Sequence, residues 1–129
     1  MLILMVAVGG AVGAVARYGL SGWVQGFPTT SFPLGTLVVN VLGSFLLGFV
    51  FYLLEALALS AETRSMVTIG FLGSFTTFST FSFETVALLQ EGQWLRAGLY
   101  AGGSVALGLI AMVAGMALAT AFARAGGAA

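Results

Sequence analysis

The sequence predicts an all-α integral membrane protein that crosses the bilayer four times. Of its 129 residues, 60% are hydrophobic and only 6% are charged, whereas a soluble domain carries about 25% charged residues. The mean hydropathy is +1.11. The apolar residues also fall into four long runs, and each run can cross a hydrocarbon core of about 30 Å as a helix.

These four runs are interpreted as the spans of one membrane domain, residues 1–129. The predicted spans cover approximately residues 2–25, 33–54, 66–90 and 97–123. Arg17 in the first and Glu84 in the third are the charges inside them. Helices are favoured over a barrel because the runs lack the alternation of barrel strands. The first run has no basic segment before it and continues to Val24, which indicates a retained span rather than a signal peptide.

The connectors are short and hold most of the remaining charge: "GFPTTSF" (26–32), "EALALSAETRS" (55–65) and "EGQWLR" (91–96). Four spans put both termini on one side of the membrane. Arg64 and Arg124 belong to that side and Arg96 to the other, so the positive-inside bias is weak. Such a weak bias fits either one fixed orientation or insertion both ways, which gives an antiparallel homodimer.

The residue types that are missing exclude several functions. The chain has no His, Cys, Asp or Lys. It therefore has no general base near neutrality, no thiolate, no Ser-His-Asp arrangement and no disulfide. The positive charges are four Arg residues with no basic face, which makes nucleic acid an improbable partner. We expect a protein that is not an enzyme.

Polar side chains inside the spans are the candidate functional residues. Thr36, Asn40 and Ser44 recur every four residues and therefore share one face of the second span. Such a face either joins neighbouring helices or lines a water- or ion-filled surface. Tyr100 and Ser104 repeat the spacing in the fourth span. Tyr100 can alternatively be an anchor at the membrane interface.

Two further features concern the first and fourth spans. Gly9 and Gly13, and likewise Gly98 and Gly102, form GxxxG pairs, which predict close contacts between helices. Arg17 lies eight residues inside the end of the first span. A charge at that depth faces a partner or a cavity, or snorkels to the interface. A structural or vestibule role is favoured for it.

The stretch "GSFTTFSTFSFE" (73–84) combines six hydroxyl side chains with four Phe. On a helix, two stripes recur every three residues: Phe75, Phe78 and Phe81, and beside them Thr76, Ser79 and Ser82. In the simpler interpretation, the rings pack against neighbouring helices and the hydroxyls donate to carbonyls of their own helix. The other is an anion path, because ring edges are weakly positive, hydroxyls donate hydrogen bonds and no fixed cation traps the ion. Gly73 and two adjacent Thr also make a helix break plausible.

The segment "GFLGSFTTFSTFSFE" (70–84) resembles the Fluc (CrcB) family of small fluoride channels. The likeness extends over the chain: its length, its four spans, Arg17, "GTLVVNVLGSFLLG" (35–48), Tyr100 and Ser104. The resemblance implies a passive, selective fluoride channel in the cell membrane, which exports fluoride from the cytoplasm and confers fluoride resistance. It also implies an antiparallel dual-topology homodimer with two pores, surrounded by lipid.

The same resemblance assigns roles to individual residues. The third helix is broken near its middle, and the backbone carbonyls of Gly73 and Thr76 hold a structural Na⁺ shared by the two subunits. Arg17 matches an Arg whose role is structural. The expected fluoride pore is lined by ring edges, an amide, hydroxyls and one carboxylate: Phe78, Phe81, Asn40, Ser79, Thr80, Tyr100, Ser104, Glu84 and, on the face of Asn40, Thr36. Relatives can carry a further hydroxyl where this chain has Gly108, so the exit of this track is expected to be less defined.

Two other functions remain open from the residues. A small coupled exporter of the four-span, dual-topology type needs a titratable carboxylate, and Glu84 is its one candidate. A non-transporting assembly subunit is favoured by the GxxxG pairs. It predicts that Phe78 and Phe81 are replaceable without effect on ion flux.

Overall fold

The computed structural model describes residues 1–27 and 31–125, and every regular element in these two ranges is helical. We number the helices α1 (Leu2–Gln25), α2 (Leu34–Ala56), α3 (61–75), α4 (Phe78–Gln90) and α5 (Trp94–Ala125). With α3 and α4 counted as one stretch, four helical stretches are long and apolar enough to cross a membrane. The predicted all-α fold with four spans is therefore confirmed. Residues 28–30 of the first connector and the tail 126–129 lie outside the described residues.

The third and fourth helical stretches begin earlier than the hydrophobic runs suggested, whereas α1 coincides with the predicted span 2–25. The third stretch begins at Ala61 rather than at residue 66, because the Ser60 hydroxyl caps it by accepting a hydrogen bond from the Thr63 amide at 3.3 Å. The fourth begins at Trp94 rather than at residue 97. The second and third connectors consequently shrink to 57–60 and 91–93. Glu55, Glu62, Arg64 and Arg96 thus belong to helices, whereas Glu91 stays in the third connector.

The third span is interrupted where α3 meets α4. Thr76 (φ −84°, ψ 157°) and Thr77 (φ −147°, ψ 112°) are both extended. The β-branched side chains favour this conformation, and the Thr77 hydroxyl caps α4 by accepting from the Thr80 amide at 3.3 Å. The two halves still make one candidate span, Ala61–Gln90, so the change of direction is modest.

The first half of the third span contains a π-helical segment, Met66–Leu72. It packs against α1, where Gly9 and Gly13 allow the two backbones to touch. A Cβ at Gly13 would collide with the carbonyl oxygen of Phe71, and one at Gly9 with that of Met66. The first GxxxG pair therefore makes the predicted contact between helices.

The α2 helix packs mainly against α5, and again glycines permit close approach. A Cβ at Gly48 would meet the carbonyl oxygen of Met112, and one at Gly115 that of Phe45. The second GxxxG pair behaves differently from the prediction. Among the described residues, no atom beyond their own helical turns lies within 4 Å of a Cβ built at Gly98 or Gly102, so this pair makes no close contact with another helix inside one copy.

Only a few side chains are fully enclosed. A cluster of Leu88, Ala97 and Tyr100 joins α4 to α5, and Phe81 packs against it. Most other large apolar side chains point outward, as the exposed Ile3 and Val113 illustrate. An apolar exterior of this extent fits lipid as the surrounding solvent.

Candidate functional site

A cavity of about 300 Å³ lies beside the break, where α2, α3, α4 and α5 meet. We call it the break cavity. Of the described residues, only uncharged ones line it. Six of the residues that the resemblance assigns to the pore or the cation site are among them: Asn40, Gly73, Thr76, Phe78, Phe81 and Ser104. The break cavity thus brings together the Asn40 amide, the Ser104 hydroxyl and the rings of Phe78 and Phe81. Gly73 and Thr76, whose backbone carbonyls are the expected cation ligands, line the same cavity.

The amide of Asn40 is bonded to the extended backbone. Its Nδ2 donates to the carbonyl oxygen of Thr77 at 3.0 Å, and its Oδ1 accepts from the Thr77 amide at 2.8 Å. Both backbone groups of Thr77 are therefore paired although the residue is outside a helix. In a membrane, unpaired backbone groups are costly, so this side chain stabilises the interruption.

The break also leaves backbone carbonyls without their helical donors. In an uninterrupted α-helix the amide of residue i+4 donates to the carbonyl of residue i. Here the Thr77 amide donates to Asn40 instead of Gly73, and the Thr80 amide donates to the Thr77 hydroxyl instead of Thr76. The carbonyl oxygens of Gly73 and Thr76 are thereby freed. Carbonyl oxygens are ligands suited to hard cations.

The aromatic rings at the break are divided between two environments. Phe78 and Phe81 have ring centroids 5.6 Å apart with an interplanar angle of 43°, and Phe81 also contacts Tyr100 at 5.5 Å. Phe75 is buried and stacks on Phe71 instead. The predicted three-ring stripe is therefore wrong: the extended residues turn Phe75 away from the other two.

The hydroxyls at the break cavity differ in what they bond. Thr76 donates to the carbonyl of Leu72, and Ser44 donates to that of Asn40. The Ser104 Oγ is buried and has no hydrogen-bond partner among the described residues. A buried hydroxyl without a partner normally has a ligand or water beside it. Ser104 is thus the most available donor in this cavity.

Glu84 and Tyr100 lie further along α4 and α5. Glu84 Oε1 accepts from the Thr36 hydroxyl at 2.9 Å and Oε2 accepts from the Tyr100 hydroxyl at 2.6 Å. Tyr100 is completely buried, so the alternative that it is an interfacial anchor is wrong. Glu84 also lines a separate cavity of about 250 Å³ that reaches Glu91. Its carboxylate is therefore held inside the protein and does not merely cap the end of a span.

Another cavity, of about 390 Å³, contains Arg17. Thr36, Thr77 and Thr80 line it as well, and Thr77 is shared with the break cavity. Ser79 is exposed on the first turn of α4, with its Oγ 3.4 Å from that of Thr77. The residues expected from the resemblance are thus distributed over three cavities and one exposed turn, except Tyr100, which lies in the buried cluster with Leu88 and Ala97.

Three hydroxyl residues of the break cavity were not assigned a role in the pore or the cation site from the sequence: Ser44, Thr68 and Thr77. Ser44 stood in the recognised polar stripe of the second span. Thr77 belonged to the recognised pair of threonines, but its backbone is bonded to Asn40 on another helix, and helical spacing within one span does not predict such a contact. Thr68 lies in the π-helical segment, where α-helical spacing does not apply.

The fold and these cavities define a multi-pass helical membrane protein with an uncharged, polar and aromatic cavity at a broken helix. The family described as "CrcB-like protein, Camphor Resistance (CrcB)" matches residues 4–116. The chain belongs to this family.

Individual relatives are similar over most of their lengths. A protein of Nitratidesulfovibrio vulgaris is 48% identical over 115 residues, which are 88% of this chain and 93% of the relative. One of Thermus thermophilus is 54% identical over 107 residues, 83% and 84% of the two chains. One of Geobacter sulfurreducens is 51% identical over 115 residues, 88% and 93%. Each of these three relatives is named a fluoride-specific ion channel, FluC.

Proposed function

We propose that this protein is a passive, selective fluoride channel. The observation that carries the proposal is the break cavity, which combines hydroxyls, an amide and two Phe rings with no charged side chain from the described residues. The names of the FluC relatives support fluoride as the ion. A channel site has to bind its ion firmly enough to replace water and loosely enough to release it.

The cavity has the chemistry for such weak anion binding. The Ser104 hydroxyl is a donor without another partner, and fluoride accepts hydrogen bonds. The edges of Phe78 and Phe81 carry the positive side of the ring quadrupole, so they can replace part of the hydration shell. Because none of these groups is a cation, the ion is stabilised at each position without being trapped.

The hydroxyls beyond the rings provide the continuation of the path. Thr36, Tyr100 and Glu84 are joined by hydrogen bonds, and Thr80 lines the adjoining cavity that contains Arg17. In this proposal an anion leaving the rings meets hydroxyls that can turn toward it. Arg17 raises the local positive potential without standing in the break cavity.

The functional unit in this proposal is an antiparallel homodimer. Phe78 lines the break cavity, yet 79% of its surface is exposed in one copy. The open faces of Gly98 and Gly102 and the weak charge bias also favour a second copy packed in the opposite orientation. The freed carbonyls of Gly73 and Thr76 would hold a structural Na⁺ between the two copies. The chemistry of these oxygens fits that ion.

The direction of transport follows from acid–base chemistry. Hydrogen fluoride crosses membranes as a neutral molecule and dissociates in the more alkaline cytoplasm. A passive anion pore in the cell membrane then lets the membrane potential drive fluoride outward. No coupling machinery is required, which agrees with a chain that has eight charged residues and no His.

Fluoride efflux from liposomes tests this function. Vesicles with purified protein are clamped with K⁺ and valinomycin, and fluoride and chloride loss are measured side by side. We expect fast electrogenic fluoride loss without chloride loss. Replacing either ring, Phe78→Ile or Phe81→Ile, is expected to slow it by about tenfold or more, because the ring edges no longer face the ion.

The matched control is Phe122→Ile. Phe122 is an exposed ring on α5 that packs near Phe49 and does not line the break cavity, so its loss should leave the flux within about twofold. Absence of fluoride flux from well-folded wild-type protein would reject the channel. Unchanged flux in both cavity variants would leave these rings as packing residues.

A further inference from the structure

One side chain joins α2 to the interruption of the third span. Asn40 makes two hydrogen bonds, of 2.8 and 3.0 Å, to the backbone of Thr77, which lies 37 residues later. This is the pairing that one residue of a neighbouring β-strand would provide, made here by a carboxamide. The contact is specific for Asn among residues of its size, because it needs one acceptor and one donor together.

The inventory of the amide limits what else it can do. A carboxamide has one oxygen and two N–H groups. The oxygen and one N–H are used by Thr77, so at most one N–H remains for an ion in the break cavity. The larger part of the bonding capacity of Asn40 is thus directed to the backbone.

We propose that Asn40 is a positioning residue that keeps the helix of the third span interrupted at Thr76 and Thr77. By pairing Thr77 it ends α3 at Phe75 and lets α4 begin at Phe78. It thereby sets the positions of the Phe78 and Phe81 rings and keeps the Gly73 carbonyl free. This inference rests on the proposed function for what the positioned groups do, but the backbone effect itself is independent of it.

The state without Asn40 can be derived from the same bonds. The Thr77 amide would lose its acceptor within the membrane, where an unpaired amide is not tolerated. The nearest replacement is the Gly73 carbonyl, four residues earlier, which is the ordinary α-helical bond. The span would then close into a continuous helix. Closure would rotate Phe78 and Phe81 relative to α3 and remove the freed carbonyl.

The test compares Asn40→Leu, which matches Asn in size, with Ser44→Ala. Ser44 lies one turn further on the same face and lines the same cavity, but among the described residues its hydroxyl bonds only to the Asn40 carbonyl. The Cα and Cβ chemical shifts of Thr76 and Thr77 are measured by NMR in threonine-labelled protein. We expect extended shifts in wild type and Ser44→Ala, and a change to helical shifts in Asn40→Leu, with fluoride flux reduced by about tenfold or more.

A second variant serves if Asn40→Leu does not fold. Asn40→Asp keeps the acceptor for the Thr77 amide but loses the donor and sets a carboxylate oxygen against the Thr77 carbonyl. It is expected to shift the Thr77 signals partway and to lower flux. Shifts of Thr76 and Thr77 that stay extended in the folded variants would overturn the inference, whatever happens to the flux. Helical shifts in Asn40→Leu, together with a wild-type protein that conducts no fluoride, would uphold the inference and reject the channel.

Discussion

At the scale of single residues, the carboxylate of Glu84 distinguishes a passive channel from a coupled exporter. The hydroxyls of Thr36 and Tyr100 donate to its two oxygens, and such bonds to a charged acceptor are strong. A coupled exporter requires a carboxylate that takes up and releases a proton during transport. A passive channel requires no such exchange of a proton.

We therefore expect Glu84→Gln to lower electrogenic fluoride flux by no more than about tenfold. A Gln side chain can accept from one hydroxyl and donate to the other, because hydroxyls rotate to suit. The flux is measured in liposomes without a pH gradient. Glu91→Gln is the control, since the Glu91 carboxylate contacts Gln93 in the third connector. Complete loss in folded Glu84→Gln protein would favour the coupled exporter.

Residue types, but not residue partners, could be predicted from the sequence. Asn40, Glu84 and Ser104 stand out because a polar side chain is rare in so apolar a chain. Their partners could not be read in the same way. Asn40 bonds to a residue 37 positions away. The α2 hydroxyl that donates to Glu84 lies 48 positions before it. Helical spacing relates residues within one span and carries no information on which spans touch.

At the scale of elements, the third span combines three backbone conformations. An α-helical turn at Ala61–Ser65 leads into the π-helical segment Met66–Leu72, and two extended residues precede α4. Gly73 and the adjacent threonines indicated the interruption in advance. The π-helical segment had no such signal in its residues, which include no proline, and its close contact with α1 involves a distant part of the chain.

The freed carbonyls at this interruption predict an effect of Na⁺. If the Gly73 and Thr76 oxygens hold Na⁺ in the dimer, Na⁺ binds the folded state and raises its melting temperature by mass action. We expect a rise in Tm with millimolar Na⁺, and recovery of fluoride flux by about tenfold or more when Na⁺ replaces N-methylglucamine. Identical melting and flux in both solutions would remove the cation from the proposal.

At the scale of the whole molecule, four spans bring both termini to one side, and few charges decide which side that is. Arg64 and Arg124 oppose Arg96. Since positive charge in short loops sets orientation, the difference of one Arg between the two sides is a weak determinant. The sequence indicated this balance directly, because the charge count depends only on the order of spans and connectors.

Dual topology predicts equal labelling of opposite connectors. The chain contains no cysteine, so single substitutions give no background. Leu57→Cys lies in the second connector and Glu91→Cys in the third, and both positions are exposed. We expect a membrane-impermeant maleimide to label about half of each from outside intact cells. Full labelling of one variant and none of the other would show a single orientation.

The bond between Asn40 and Thr77 also has a consequence for biogenesis. The chain is synthesised from its N-terminus, and the carboxamide precedes the backbone it pairs with by 37 residues. When the third span enters the bilayer, α2 with Asn40 is already inserted. Asn40 is thus synthesised and inserted before the segment that must depart from a helix. In a circular permutant that placed residues 61–90 ahead of α2, this segment would have to insert before Asn40 is present.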